Sequence, residues 1–305
     1  MKIKRREFIK KSAIGAGGIL LAAPLIRAET PAIKAPEIKY HDPYALVPLG
    51  KTGLKFTRVC MGTGSHGSRR SSNQTRQGTE VFRKLLRDAY DRGVRTFDLA
   101  DLYGSQPHVP VALAGLPRDS YSLISKIWWS DGGIPEPERP DADVVVARFL
   151  KELQTDYLDL LLLHCVTSPD WPGELRRQME ILTKLKTQGK IRALGVSCHS
   201  LGALEAAANE PWVESVHTRI NPYGMSMDGA PDQVAPLLKK LHAAGKGVVG
   251  MKLIGEGRLS HDDARRDESV KYVLGLGCVD ILNVGFESAD QMDDFAARVR
   301  KVPVA

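Results

Sequence analysis

The chain has 305 residues, enough for two average domains or one barrel, and its 43% hydrophobic and 26% charged residues exclude a disordered or low-complexity class. Lys and Arg number 43 against 36 Asp and Glu, a formal +7, but residues 1–28 alone hold seven Lys/Arg and one Glu, so the remainder is near +1. The basicity therefore gives no support for nucleic-acid binding.

Lys4-Arg5-Arg6-Glu7-Phe8-Ile9-Lys10 reads as a twin-arginine leader, followed by an apolar stretch over Ala13–Ile26 and a small-residue cleavage position after Ala28. The stretch is short of the ~20 apolar residues a comfortable span needs. The expectation is a cleaved signal peptide over 1–28, export through the twin-arginine machinery to a periplasmic location, and no stable membrane insertion after cleavage. An uncleaved anchor is the alternative. A Pro-rich linker fills 29–45, and the folded domain is expected over 46–305.

Leu46 to Arg58 reads as a hairpin around Gly50-Lys51-Thr52-Gly53, since a short Gly-rich turn joins two apolar runs. Beyond it, strand-like runs at Val59–Gly62, Thr96–Leu99, Ser122–Lys126, Leu158–His164, Ala193–Ser197, Ser215–Arg219, Gly247–Leu253 and Ile281–Gly285 alternate with amphipathic segments. The helices are expected over Thr79–Arg92, Asp141–Leu153, Glu174–Gln188, Leu201–Asn209, Gln233–Ala244, Ser269–Leu274 and Ala289–Val299, with a weak one at Val109–Leu116 bracketed by Pro107, Pro110 and Pro117. Eight strand–helix units are what a closed (β/α)8 TIM barrel requires. An open doubly wound sheet competes through Gly62-Thr63-Gly64-Ser65-His66-Gly67, which has the Gly-x-Gly-x-x-Gly form. Ser68-Arg69-Arg70-Ser71-Ser72-Asn73 follows where its phosphate-binding helix should begin, so the match is weak.

Asp98, Tyr103, Lys126 and His164 each fall at or just beyond the end of a different strand, and a barrel gathers such positions at one mouth. A phenol titrates near ~10 in water and needs a neighbouring cation to favour phenolate. Lys126 is the candidate cation, Asp98 a carboxylate to fix it, and His164 a group to orient a substrate oxygen or relay a proton. Protonating a carbonyl oxygen as hydride reaches carbon suits such a set, and hydride requires a nicotinamide or flavin. The residues point to a carbonyl reductase.

The pattern resembles the aldo-keto reductases from about Leu46 to about Val299. The resemblance is carried by Asp98 to Tyr103, Ser125-Lys126, the strand ending in His164, and Gly189-Lys190-Ile191-Arg192-Ala193-Leu194-Gly195-Val196-Ser197. It implies that Tyr103 is the general acid/base, that Lys126 and Asp98 tune it, and that His164 orients the carbonyl. It also implies NADP(H) as cofactor, with NAD(H) as the alternative, along Gly62, Thr63, Ser197, Cys198, His217, Met251, Lys252, Gly255, Gly257, Gly285, Ser288 and Gln291. The family's Ser-Asn pair here reads Ser197-Cys198, its Gln is His217, and its stacking aromatic is Met251. No cation is within reach after the eighth strand; Glu287 or Asp290 there would suit a ribose hydroxyl.

Trp128, Trp129 and Trp171 are candidates to stack on substrate, or else to pack over the rim. His164-Cys165 and Cys198-His199 end neighbouring strands, but successive strand residues face opposite sides, so no metal site is expected. Cys60, Cys165, Cys198 and Cys278 are far apart and are expected as free, mostly buried thiols, without the clustering of an iron–sulfur module. The sequence thus predicts an exported oxidoreductase acting on a small-molecule carbonyl or alcohol. The alternative is a catalytically silent barrel that binds or regulates.

Overall fold

The structure is a computed structural model that describes residues 38–304. The leader over 1–28 and the linker up to residue 37 lie outside the described residues. Residues 38–45, expected as linker, are tied to the folded body. Tyr40 bridges Pro303, the His41 N–H donates to Val302 O at 3.0 Å, and the Val59 N–H donates to Pro43 O at 2.8 Å.

A two-stranded antiparallel hairpin, β1 (Leu46–Pro48) and β2 (Lys55–Thr57), comes first. Eight parallel strands then close a barrel: β3 (Val59–Gly62), β4 (Thr96–Asp98), β5 (Ser122–Trp128), β6 (Leu158–Val166), β7 (Ile191–Cys198), β8 (Ser215–Arg219), β9 (Gly247–Met251) and β10 (Ile281–Gly285). Pairing of β10 with β3 completes the circle and leaves no open edge, which settles the barrel over the doubly wound sheet. The intervening helices are α1 (Asn73–Arg76), α2 (Thr79–Asp91), α3 (Val109–Ala112), α4 (Ala142–Leu153), α5 (Trp171–Glu174), α6 (Arg176–Thr187), α7 (Leu201–Asn209), α8 (Pro231–Ala243), α9 (Asp263–Gly275) and α10 (Ala289–Val299).

Two helices differ from the sequence expectation for physical reasons. Helix α3 is a single turn, with Pro110 in its first turn and Pro117 soon after it. Helix α9 is longer than the apolar pattern indicates. Its charged first half has no apolar stripe and is held instead by Asp262 as N-cap and by ion pairs to α10, in which Arg298 meets Asp263 and Asp267, and Arg266 meets Asp294 at 2.8 Å.

Strand alternation divides the barrel interior into two levels. Cys60, Ile124, Leu160, Leu162, Ala193, Val249 and Ile281 form an apolar plug, closed from below by Leu49, Leu54 and Phe56 of the hairpin. Above it, at the carboxyl ends of the strands, the buried residues are polar: Asp98, Lys126, His164, Ser197 and His217. A separate apolar layer between strands and helices carries most of the remaining core, including Phe82, Phe97, Phe149 and Leu163.

The hairpin reaches the floor through a close backbone approach at Gly50. With φ at +49°, a Cβ there would lie 2.4 Å from Gly247 N and 2.5 Å from Gly245 O. Gly53 is also left-handed, at +76°, but a Cβ there meets nothing within 4 Å. Gly50→Ala should therefore add backbone overlap to conformational strain and cost about 3 kcal/mol, against about 1 kcal/mol for Gly53→Ala. Urea unfolding of both variants measures this, and equal losses would contradict the floor contact.

Candidate active site

Tyr103 is delivered to the barrel mouth by the short turn Asp101–Tyr103 that follows β4. Two arginines clamp the turn through buried Asp101, Arg70 at 3.2 Å and Arg148 at 2.8 Å. Gly104 ends it at φ +67°, where a Cβ would strike Arg70 O at 2.0 Å. The phenol ring lies against Gly64 and Gly67, whose added Cβ atoms would come within 2.3 and 2.5 Å of it. The glycines of the Gly-x-Gly-x-x-Gly string thus make room for the tyrosine.

Lys126 and Asp98 form an ion pair at 2.5 Å, with both side chains nearly inaccessible to solvent, and Lys126 Nζ also donates to Leu99 O at 2.9 Å. Burial opposes ionisation of Asp98, but the Lys126 ammonium overrides it and holds the carboxyl well below the usual range. Burial lowers the lysine, and Asp98 works against that shift. Lys126 Nζ stands 5.1 Å from the Tyr103 ring centroid, yet the phenol is raised well above its ordinary value, by burial first and then by Asp98 and Cys165. Burial and the Asp98 charge therefore oppose the shift towards phenolate that the Lys126 ammonium alone would favour.

Tyr103 Oη lies 3.4 Å from His164 Nε2, and the two rings meet edge to face. His164 is held well below its ordinary value by burial first and then by the Lys126 charge, which disfavours an imidazolium there. His199, at the end of β7, is pushed down to about 3 by burial together with Arg219 and Lys252. Asp228, which pairs with Arg219 at 3.0 Å, is pushed up to about 6 by burial against the pull of that arginine.

Asn283 of β10 is a member the sequence reading missed. Its Nδ2 donates to Asp98 Oδ2 at 2.6 Å across the interior. The even-numbered spacing from Ile281 to Asn283 to Gly285 marks it as inward-facing, which is the signal that was available. His217 Nε2 sits 3.4 Å from Asp98 Oδ1, longer than an ordinary hydrogen bond.

A groove of about 490 Å³ runs outward from Asp98 and Tyr103, past Gly62, Met251, Lys252 and Asn283, to Gly285, Glu287, Gln291 and Arg266. Several predicted cofactor residues line it, namely Gly62, Met251, Lys252, Gly257, Gly285 and Gln291. Gly255 is buried beside it, and Ser288 caps α10 by accepting the Gln291 N–H at 3.3 Å. The rest lie elsewhere. Thr63 is buried with its hydroxyl against Asp98 O and Ser105, Ser197 Oγ accepts the Cys165 N–H at 2.9 Å, and the Cys198 thiol faces Ala203 O at 3.6 Å. His217 is buried outside the groove lining.

Lys252 is paired with Glu256, so its charge is already met. Arg266 is the cation that the sequence reading did not find, because it comes from α9 and not from the segment after the eighth strand. Its guanidinium is held by Asp263 and Asp294, while its Nε is buried without a partner. The features suit a dinucleotide. The floor is glycine-lined, the cap of α10 adjoins it, buried polar atoms without partners lie at both ends, and the inner end meets the tyrosine.

Of the three tryptophans, Trp128 is at the mouth, with its ring 5.5 Å from that of His164 and its indole N–H donating to Gly132 O. Trp129 packs against the outer apolar layer. Trp171 is 1% exposed and donates to Ala203 O beneath α7, so it is a core residue and not a substrate contact. All four cysteines are free, three of them buried and Cys165 partly exposed. Among the described residues no three His, Cys, Asp or Glu converge as metal ligands, and no helix is long and apolar enough to cross a membrane.

Residues 58–290 match the Aldo/keto reductase family. The chain belongs to that family. It is 33% identical to a glyoxal reductase of Bacillus subtilis over 136 residues, covering 42% of this chain and 43% of that one. It is 28% identical to the methylglyoxal reductase DkgB of Escherichia coli O157:H7 over 149 residues, 47% of this chain and 54% of that one. The chain spans about half the length of the curated relatives it matches. An aldo/keto reductase from Klebsiella pneumoniae, solved with NADP and acetate, shares the fold at a TM-score of 0.60 and 24% identity, covering 84% of this chain and 90% of that one.

The depressed histidines carry a pH consequence. Between about 3 and its unfolded value near ~6.5, His199 binds fewer protons in the folded chain than in the unfolded one. Its contribution to stability is therefore full above ~6.5 and falls as the pH drops through that window. Asp228 acts in the opposite sense between its unfolded value and about 6. Removing His199 as His199→Gln should shrink the fall in Tm between pH 7 and 5, and the His164 and His199 ring resonances should stay neutral over that range. An imidazolium signal at pH 6 would contradict the burial argument.

Proposed function

We propose that the protein is an NADP(H)-dependent reductase of small carbonyl compounds, which in reverse oxidises the alcohol by hydride transfer to NADP+. The observation that carries this reading is the placement of Tyr103 at the inner end of the long groove, with its hydroxyl 3.4 Å from His164 Nε2. Kinship with a glyoxal and a methylglyoxal reductase supports a small aldehyde or ketone as substrate.

When bound, a nicotinamide dinucleotide supplies hydride to the carbonyl carbon. The chain's own residues handle the oxygen. Tyr103 donates its proton as that oxygen becomes strongly basic, and because burial disfavours the phenolate, the tyrosine then takes a proton back. Neutral His164 offers Nε2 beside the phenol to orient the oxygen without adding a competing charge. Asp98 and Lys126 hold the site's electrostatics constant, since neither is free to pair with the substrate. Trp128 walls the side next to His164. The preference for NADP(H) is supported by the Klebsiella pneumoniae relative solved with NADP; Arg266 lines the outer end of the groove, but its guanidinium is already held by Asp263 and Asp294. Glu287, also lining that end, favours NAD(H) through a ribose hydroxyl.

Tyr103→Phe should lower turnover of methylglyoxal with NADPH by about 10²–10⁴-fold. The Kd for NADPH, read by nucleotide fluorescence, should stay within about twofold, and NADPH should bind the unmodified chain more tightly than NADH by about tenfold. Undiminished turnover in Tyr103→Phe would overturn the mechanism; a reversed nucleotide preference would overturn the cofactor assignment.

We further propose export through the twin-arginine machinery to the periplasm, supported by Arg5-Arg6 ahead of the apolar stretch. Arg5→Lys combined with Arg6→Lys should retain the chain in the cytoplasmic fraction, whereas unchanged fractionation would remove the proposal.

A further inference from the structure

We propose that Asn283 also serves as the acceptor for the carboxamide N–H of the nicotinamide ring. The inference rests on the reading that the groove holds a nicotinamide dinucleotide.

The orientation of the Asn283 amide is fixed by chemistry. Asp98 is ionised and can only accept, so the NH2 end of Asn283 must face it, as the 2.6 Å contact shows. Oδ1 is thereby turned the other way. There it is buried with no partner in the protein, and it lies so close to Gly62 that a Cβ on that glycine would come within 2.8 Å. Both residues line the inner end of the groove together with Tyr103 and Met251. A buried carbonyl without a donor carries a desolvation penalty that a ligand N–H removes.

The other groups from which such a contact is expected are engaged elsewhere. Ser197, whose Oγ accepts the Cys165 N–H, Cys198, which faces Ala203, and His217, which sits beside Asp98, all lie outside the groove lining. Asp98 already accepts from Lys126 on one oxygen and from Asn283 on the other. A primary amide on the reactive ring is the ligand group that matches an acceptor at this end. One amide side chain then links the two halves of the site, with its nitrogen on the carboxylate behind the tyrosine and its oxygen on the ring in front of it.

The test pairs a residue change with a ligand change. In the 3-acetylpyridine analogue of NADP a methyl group replaces the amide NH2, which removes the donor and little else. Calorimetric titration of the purified full chain should give about tenfold weaker binding for the analogue than for NADP, the size of one lost hydrogen bond. Asn283→Ala, shown to be folded by its melting transition, should bind both nucleotides with equal affinity. Discrimination that persists in Asn283→Ala would place the contact elsewhere and overturn the inference. Should that variant not fold, the unmodified chain still decides: equal affinity for NADP and the analogue overturns the inference while leaving the dinucleotide reading intact. Absence of saturable binding of either nucleotide overturns both.

Discussion

A single ion pair, Lys126 with Asp98, sits where the apolar plug of the barrel gives way to its polar mouth, and the site is organised around it. Both side chains are nearly inaccessible to solvent, so each depends on the other to remain charged. Leaving one such charge unpaired costs about 3–5 kcal/mol, which makes the pair a fixed point and not an adjustable one. Asp98 collects Lys126 from β5 and Asn283 from β10, with His217 of β8 in contact, so three strands are referenced to one carboxylate. The tyrosine is fixed separately by the Asp101 clamp and the glycines at 64 and 67. The tyrosine and the pair behind it are thus placed by independent contacts.

The electrostatics follow from this geometry. A free buried ammonium would favour phenolate at Tyr103, but a neutralised one does not, and the phenol is pushed up instead of down. The same burial strips the charge from His164 and His199. The mouth therefore presents neutral hydrogen-bonding groups. Such a set gives little help to a ground-state carbonyl and more as negative charge develops on the oxygen, which is the condition for selective stabilisation of a transition state.

Much of this was legible in the sequence because it depends on strand ends. Asp98, Lys126 and His164 close apolar runs, and a barrel converts that shared position into proximity. What escaped depends on side-chain direction and on distant elements. Trp171 has the composition of a rim residue but is folded under α7, and Cys198 follows Ser197 yet faces the opposite side of its strand. Arg266 belongs to a helix half without an apolar stripe, so periodicity gave neither its helix nor its place at the groove. Asn283 was visible as an inward position, but its partner lies 185 residues away in sequence, across a barrel whose closure had to be known first.

The central claim is that hydride reaches a carbonyl carbon at the inner end of this groove. Mass spectrometry of the alcohol formed from methylglyoxal, with NADPH carrying deuterium on either face of nicotinamide C4, tests it directly. The account predicts one deuterium on the product carbon from one face only. Product formed without label from either face, or no product at all, would contradict it.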